Sequence, residues 1–255
     1  MFHLSFGSEF PIVVIVCTEV RVMKKDFFDH RMIVQCFLIT VVFLIISLLG
    51  NDAVKAFSEN EPSRNTVIID AGHGGIDGGA VSCTGVTESK INLDIALKLD
   101  DLMHLLGIHT IMIRDTDRSV HTEGNTIATK KVSDIRNRVQ AVNTTPNALL
   151  VSIHQNNFTD SRYFGAQVFY NPKSDSKVLA DQIQATFRST IDTENRRKTK
   201  KAQGIYLMEH INCTGVLIEC GFLSNPTEEK KLRNDTYQQK ICGIIACTIS
   251  QYLNT

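Results

Sequence analysis

The sequence predicts an α/β fold: a largely parallel, twisted sheet flanked by helices on both faces. Three runs carry the strand half of that reading: TVIID (Thr66–Asp70), ALLVSIH (Ala148–His154) and GVLIE (Gly215–Glu219). Each is short and apolar, and together they are rich in Val and Ile, as strands buried on both faces are. Segments with apolar residues at helical spacing lie between them. Strands and helices that alternate along a chain build a parallel sheet covered by helices.

The elements follow in order. Thr66–Asp70 is the first strand and ends at glycines. Glu88–Leu106 is a helix, with Ile91, Ile95, Leu99, Leu102 and Leu106 on one stripe and Gly107 as its stop. Ile108–Ile113 is the next strand. Ser133–Asn143 is a helix that buries Ile135, Val139 and Val142. Ala148–His154 is apolar enough to be central. Ala166–Tyr170 is a strand, Lys177–Ser189 a helix, Gly215–Glu219 a buried strand and Tyr237–Leu253 the closing helix. No internal repeat appears.

The chain has 255 residues, and the first 56 read as an address rather than as fold. Met32–Gly50 carries no charge and follows Lys24, Lys25, His30 and Arg31. A basic stretch before an apolar run marks a secretory signal or a signal anchor. The run is about long enough to span a bilayer. Cleavage near Ala56 and retention as an anchor are both open, and either one exports the protein beyond the cytoplasmic membrane. Met23 would give a better signal start than Met1. Residues 57–65 read as a linker and 66–255 as a single domain.

Composition excludes several classes. Lys plus Arg and Asp plus Glu are 27 each, so no basic excess argues for nucleic acid. RRKTKK (Arg196–Lys201) reads as a solvated loop. The seven cysteines form no CxxC pair, which leaves out zinc ribbons and thioredoxin-type sites. They read as unpaired thiols. The chain has neither a GxSxG elbow nor a helical HExxH motif.

In α/β sheets, ligands bind beyond the carboxyl ends of the strands. Asp70, Gly72 and His73 lie at the end of the first strand, His154 ends a second and Glu219 a third. Three separated segments thus bring polar, metal-capable residues to one edge. His73 sits in DAGHGG, whose glycines allow a sharp bend. Glu88 opens the first long helix. Two histidines and one carboxylate are the protein ligands of many catalytic zinc sites. Glu88 could equally be a helix N-terminal carboxylate stabilised by the dipole. Glu219 ends an apolar strand, where a carboxylate is costly unless solvated, paired or bound to metal. It is placed to take a proton from water and hand it to a leaving amine. His104, His109, His121 and His210 read as surface or packing residues.

Taken together, TVIIDAGHGG, the helix-opening Glu88, LLVSIHQN and GVLIECGFLSNPTE resemble the zinc-dependent N-acetylmuramoyl-L-alanine amidases. The likeness runs in order from about Thr66 to Leu253. It implies Zn2+ ligands at His73, Glu88 and His154, and Glu219 as catalytic acid/base. It implies cleavage of the bond between N-acetylmuramic acid and L-alanine in peptidoglycan. Ala71 stands where the family commonly has proline, and Asn157 where it commonly has alanine. RDTD (Arg114–Asp117), SDIRNRV (Ser133–Val139) and GIYLM (Gly204–Met208) are most similar to the germination-specific CwlD type of spore formers. That likeness implies a role in spore-cortex maturation, with a vegetative wall amidase as the alternative; the N-terminal segment implies membrane contact, and the need for an activating partner protein is left open. A wall zinc carboxypeptidase is a rival and would need a basic residue such as Arg136 or Arg138 for a terminal carboxylate. A non-enzymatic wall scaffold is a second rival.

Overall fold

The computed structural model describes residues 65–254 and, apart from these, residues 34, 35 and 37–41, which are helical. The chain divides into two units, Met1–Pro62 and Ser63–Thr255, and the second carries the fold. Apart from those few helical residues and Asn65, the expected signal or anchor and the linker lie outside the described residues. Among the described residues no helix is long and apolar enough to cross a membrane.

The elements are β1 (Thr66–Ala71), α1 (Glu88–Leu105), β2 (Thr110–Met112), α2 (Ile127–Thr144), β3 (Ala148–Asn156) and β4 (Gln167–Tyr170). There follow α3 (Ser176–Thr190), β5 (Lys200–Lys201), α4 (Tyr206–His210), β6 (Thr214–Phe222), α5 (Pro226–Leu232) and α6 (Asp235–Leu253). One six-stranded sheet has the order β2-β1-β3-β6-β4-β5. The neighbours from β2 to β6 are parallel, while β4 runs antiparallel to β6 and β5 parallel to β4. The sheet is therefore mixed but largely parallel, and helices cover both faces.

The two-residue period of a strand decides which side chains meet which helices. Val67, Ile69, Ala71, Val151, Ile153, Val216 and Ile218 join one core with Ile91, Ile95 and Leu99 of α1, Phe187 of α3 and Ile245 of α6. The residues between them, Ile68, Leu150 and Leu217, pack on the other face with Val142 of α2 and Leu207 and Met208 of α4. Each of the latter three strands ends its second face on polar residues: Asp70, then Ser152 and His154, then Glu219. Register places Asp70 beside Ser152 and His154 beside Glu219. The functional edge thus follows from strand alternation plus parallel register.

Four elements depart from expectation. Helix α2 begins at Ile127, not Ser133, because Thr126 and Thr129 cap it reciprocally. Lys200–Lys201 is not wholly a solvated loop: it hydrogen-bonds to Phe169 and Tyr170 as an edge strand, with both side chains exposed. The short helices α4 and α5 join the set. At the end of α1, Gly107 sits at φ +73°, its N–H donates to the His104 carbonyl and Ile108 N–H to the Met103 carbonyl. That is a Schellman stop, which favours glycine at its left-handed residue.

Candidate active site

The turn after β1 is held from behind by two buried arginines. Arg114 is fully buried and donates to the carbonyls of Ala71 (2.8 Å), Gly72 (3.0 Å), Ser89 (2.8 Å) and Thr116 (3.1 Å). Arg138 pairs with Asp70, donates to Asp134 at 2.6 Å and caps the His73 carbonyl at 2.7 Å. Ser152 donates to the other Asp70 oxygen at 2.6 Å. Burial alone would raise the Asp70 carboxyl, but Arg138, then Ser152, outweighs it and holds the group below the ordinary carboxylate range. Arg138 is thus fully engaged inside the protein and cannot serve a substrate carboxylate; Arg136 is exposed on α2.

On this base His73 adopts a left-handed backbone, φ +62°, which is uncommon for a residue with a side chain. Its Nδ1 lies 2.9 Å from Asp77 and its Nε2 3.2 Å from Glu88 Oε2. His154 Nδ1 lies 2.9 Å from Glu88 Oε1. The two imidazoles meet edge to face with centroids 5.0 Å apart. Ligand-type atoms of His73, Glu88 and His154 all fall within 4.8 Å of one another, the one such group of three among the described residues that could hold a metal ion. Glu88 is buried in the first turn of α1 and also accepts from Ala80 N–H (3.0 Å), Gln155 N–H (3.2 Å) and Asn92 (3.3 Å).

Two glycines make the convergence sterically feasible. A Cβ on Gly72 would lie 2.3 Å from the His154 ring. A Cβ on Gly79 would lie 2.6 Å from Glu88 Oε2 and 2.7 Å from the His73 ring, at φ +68°. Both approaches are closer than a side chain tolerates, so the cluster needs backbone alone at these points.

Electrostatics separates the two carboxylates. Burial pushes Glu88 up, yet the hydrogen bonds and charges of His154 and His73 hold it far below the ordinary range. Burial lowers His73, but Glu88 and then Asp77 outweigh that and raise it to about 9. Glu219 differs: burial, opposed by His154 but reinforced by the Glu88 charge, raises it to about 7. Its Oε2 is buried with no hydrogen-bond partner. A small cavity of about 150 Å³ opens beside the histidines, lined by His73, His154, Lys131, Ile135, Tyr206 and Leu207 among others.

The structure therefore brings together all four residues singled out in the sequence. The other histidines among the described residues lie elsewhere: His104 bonds Thr110, His121 bonds Ser119, His210 stacks on Tyr206 and His109 is exposed. Sequence reasoning missed Asp77, Asn92 and Gln155. Asp77 had a legible cue, since it stands four residues after His73 within the same glycine-rich turn. Asn92, one helical turn after Glu88, had a weaker one, and Gln155 had none. The described cysteines are free, as expected.

A family model described as N-acetylmuramoyl-L-alanine amidase matches residues 67–251. The germination-specific N-acetylmuramoyl-L-alanine amidase of Bacillus subtilis is 34% identical over 218 residues, covering 85% of this chain and 91% of that one. Among solved structures, the CwlD amidase of Clostridioides difficile in complex with the GerS lipoprotein is 41% identical. Its TM-score is 0.72, with 75% of this chain and 99% of that one covered. An N-acetylmuramoyl-L-alanine amidase from Clostridium difficile 630 is 30% identical with a TM-score of 0.66, covering 76% and 99%.

Proposed function

Because the chain belongs to the N-acetylmuramoyl-L-alanine amidase family, we propose that it cleaves the muramoyl–L-alanine bond of peptidoglycan with zinc held by His73, Glu88 and His154 and with Glu219 as acid/base. One observation carries the reading: two imidazoles and a carboxylate converge beside a second carboxylate with a bare buried oxygen. Two histidines plus one carboxylate suit zinc and leave room for water or substrate. Zinc bound there supplies Lewis acidity to the scissile carbonyl and to the attacking water.

The chain's own groups do the rest. Asp77 accepts from His73 Nδ1, which fixes the tautomer and leaves Nε2 its lone pair. Glu88 is held ionised and oriented by three N–H donors. Glu219, raised to about 7, suits both halves of proton transfer near neutrality. It accepts a proton as water adds its oxygen to the amide carbon, then donates it to the departing nitrogen of L-alanine. The products are a free muramoyl carboxylate and a stem peptide with a free amine.

Digestion of peptidoglycan by the purified protein, read by mass spectrometry, tests this. Stem peptides starting at L-alanine should appear, vanish with chelator and return with zinc. Cuts within the stem would assign a peptidase instead.

The likeness to germination-specific relatives supports a spore-cortex role, in which removal of stem peptides prepares muramic-δ-lactam. Deleting the gene should leave cortex without the lactam and spores that germinate poorly; normal cortex with altered vegetative wall would favour the alternative. Residues 1–56 would export the enzyme, cleaved or anchored. The relative solved in complex with a lipoprotein supports a partner protein for this chain, and activation would be its role.

A further inference from the structure

Arg197 stands out among the charged groups at the catalytic edge. Because β4 and β5 run against β6, their amino-terminal ends lie at the edge where β6 ends, and Arg197 is in the segment entering β5. Its guanidinium lies 4.4 Å above the Phe222 ring and 5.9 Å from Tyr163, which stacks on Phe222. Its Nε donates to the Phe164 carbonyl at 2.9 Å and its Nη1 to Gln167 Oε1 at 3.0 Å. Gln167 is the register partner of Glu219 on the neighbouring strand, so Gln167 and Glu219 project from the same sheet face. Arg197 is half-buried, and among the described residues it forms no ion pair with a carboxylate. The nearby Glu228 is engaged with the N–H groups of Gly165 and Phe222. An immobilised guanidinium on an aromatic face, with no carboxylate in ion-pair contact, matches a carboxylate ligand.

The geometry points to Arg197, seated on Phe222 and Tyr163, as the subsite for a carboxylate of the stem peptide on the leaving side of the scissile bond. That side is the peptide side because Glu219 protonates the departing amine, so the placement rests on the function proposed above. The exposed rings of Phe158 and Tyr163, packed edge to face at 4.8 Å, continue the same surface. The basic run Arg196–Lys201, with no role in the cluster itself, gains one: its second residue selects the acidic arm of the substrate.

Equilibrium binding of a synthetic stem tripeptide beginning at L-alanine tests the subsite without hydrolysis. Its free-acid and fully amidated forms would be compared on zinc-loaded protein and on Arg197→Gln and Arg197→Lys variants, with melting temperature and zinc content as controls. Wild type should bind the acid about tenfold or more tightly, the scale of one charge-assisted hydrogen bond. Arg197→Gln should bind both forms alike, and Arg197→Lys should recover part of the preference. On peptidoglycan fragments, Arg197→Gln should raise KM more than it lowers kcat. Equal wild-type affinity for acid and amide, or a preference that survives in Arg197→Gln, overturns the subsite. An acid preference lost in Arg197→Gln, in a protein that releases no L-alanine peptides, keeps the subsite and overturns the amidase reading. Loss of zinc or folding in Arg197→Gln with intact Arg197→Lys shifts the decision to the lysine variant, where a reduced acid preference supports the subsite and an undiminished one overturns it.

Discussion

Two buried polar clusters sit side by side at the carboxyl edge of the sheet, and they are built to opposite standards. In the Asp70–Arg138–Ser152 cluster both Asp70 oxygens have partners, and Arg138 is engaged by Asp70, Asp134 and the His73 carbonyl. In the His73–Glu88–His154–Glu219 cluster one buried oxygen has none, and two imidazoles converge on a single carboxylate. A satisfied buried network rigidifies, whereas an unsatisfied one persists where something else is meant to complete it. The first cluster is therefore scaffold and the second the candidate site, although Asp70 and Ser152 of the one and His154 and Glu219 of the other end the same sheet face.

The sharpest break in the comparison is Glu219→Gln. It keeps the shape and removes the proton acceptor, so hydrolysis should fall by roughly a hundredfold to ten-thousandfold. Zinc content, measured by elemental analysis, should stay stoichiometric. His73→Ala or His154→Ala should lose both zinc and activity. Hydrolysis surviving in Glu219→Gln would remove that residue from the chemistry.

The scaffold cluster should respond the other way. Arg138→Met leaves Asp70 buried and uncompensated, which costs about 3–5 kcal/mol of folding stability. Denaturant unfolding of this variant would measure it. A cost near zero would mean that the pair only decorates the core. Between the two clusters stands Asp77, which bonds both His73 and Lys131. Asp77→Ala should weaken zinc binding by about ten- to a hundredfold, read by competition with a metal indicator, with unfolding little changed. An unchanged affinity would show that Glu88 alone orients His73.

How far each cluster was readable follows from its physics. The sheet was readable because Thr66–Asp70, Ala148–His154 and Gly215–Glu219 are apolar runs, a pattern that holds before any contact forms. His73, His154 and Glu219 were readable because polar residues end those runs. The direction of β4 and the pairing of β5 were not, since a two-residue strand is defined only by its neighbour. The start of α2 was hidden because its capping partner at the third position is Thr129 rather than Glu or Gln. Arg114 and Arg138 look like surface residues in sequence. Their burial depends on carbonyls of the β1 turn and on Asp70, partners 42 to 68 residues away.

The smallest effect, and the one that tests the contrast most directly, is the pH dependence of stability after zinc is stripped by chelator. Burial, with the Glu88 charge and against His154, raises Glu219 from 4.5 to about 7. A folded value above the unfolded one means that stability is fully present below the unfolded value and is lost as pH rises through about 7. Glutamine does not titrate. The stability of Glu219→Gln relative to wild type should therefore be level near pH 4 and shift in favour of the variant up to about pH 8. Asp70 has the opposite sign. Arg138 holds its folded value below 3.8, so its contribution is present above that ordinary value and disappears as pH falls. Asp70→Asn should be least stable relative to wild type at neutral pH and approach it in acid. Melting curves of both variants across pH 3 to 8 would display the two slopes. A flat difference for Glu219→Gln would mean that its carboxylate reaches solvent, and the distinction between scaffold and site would then rest on the metal ligands alone.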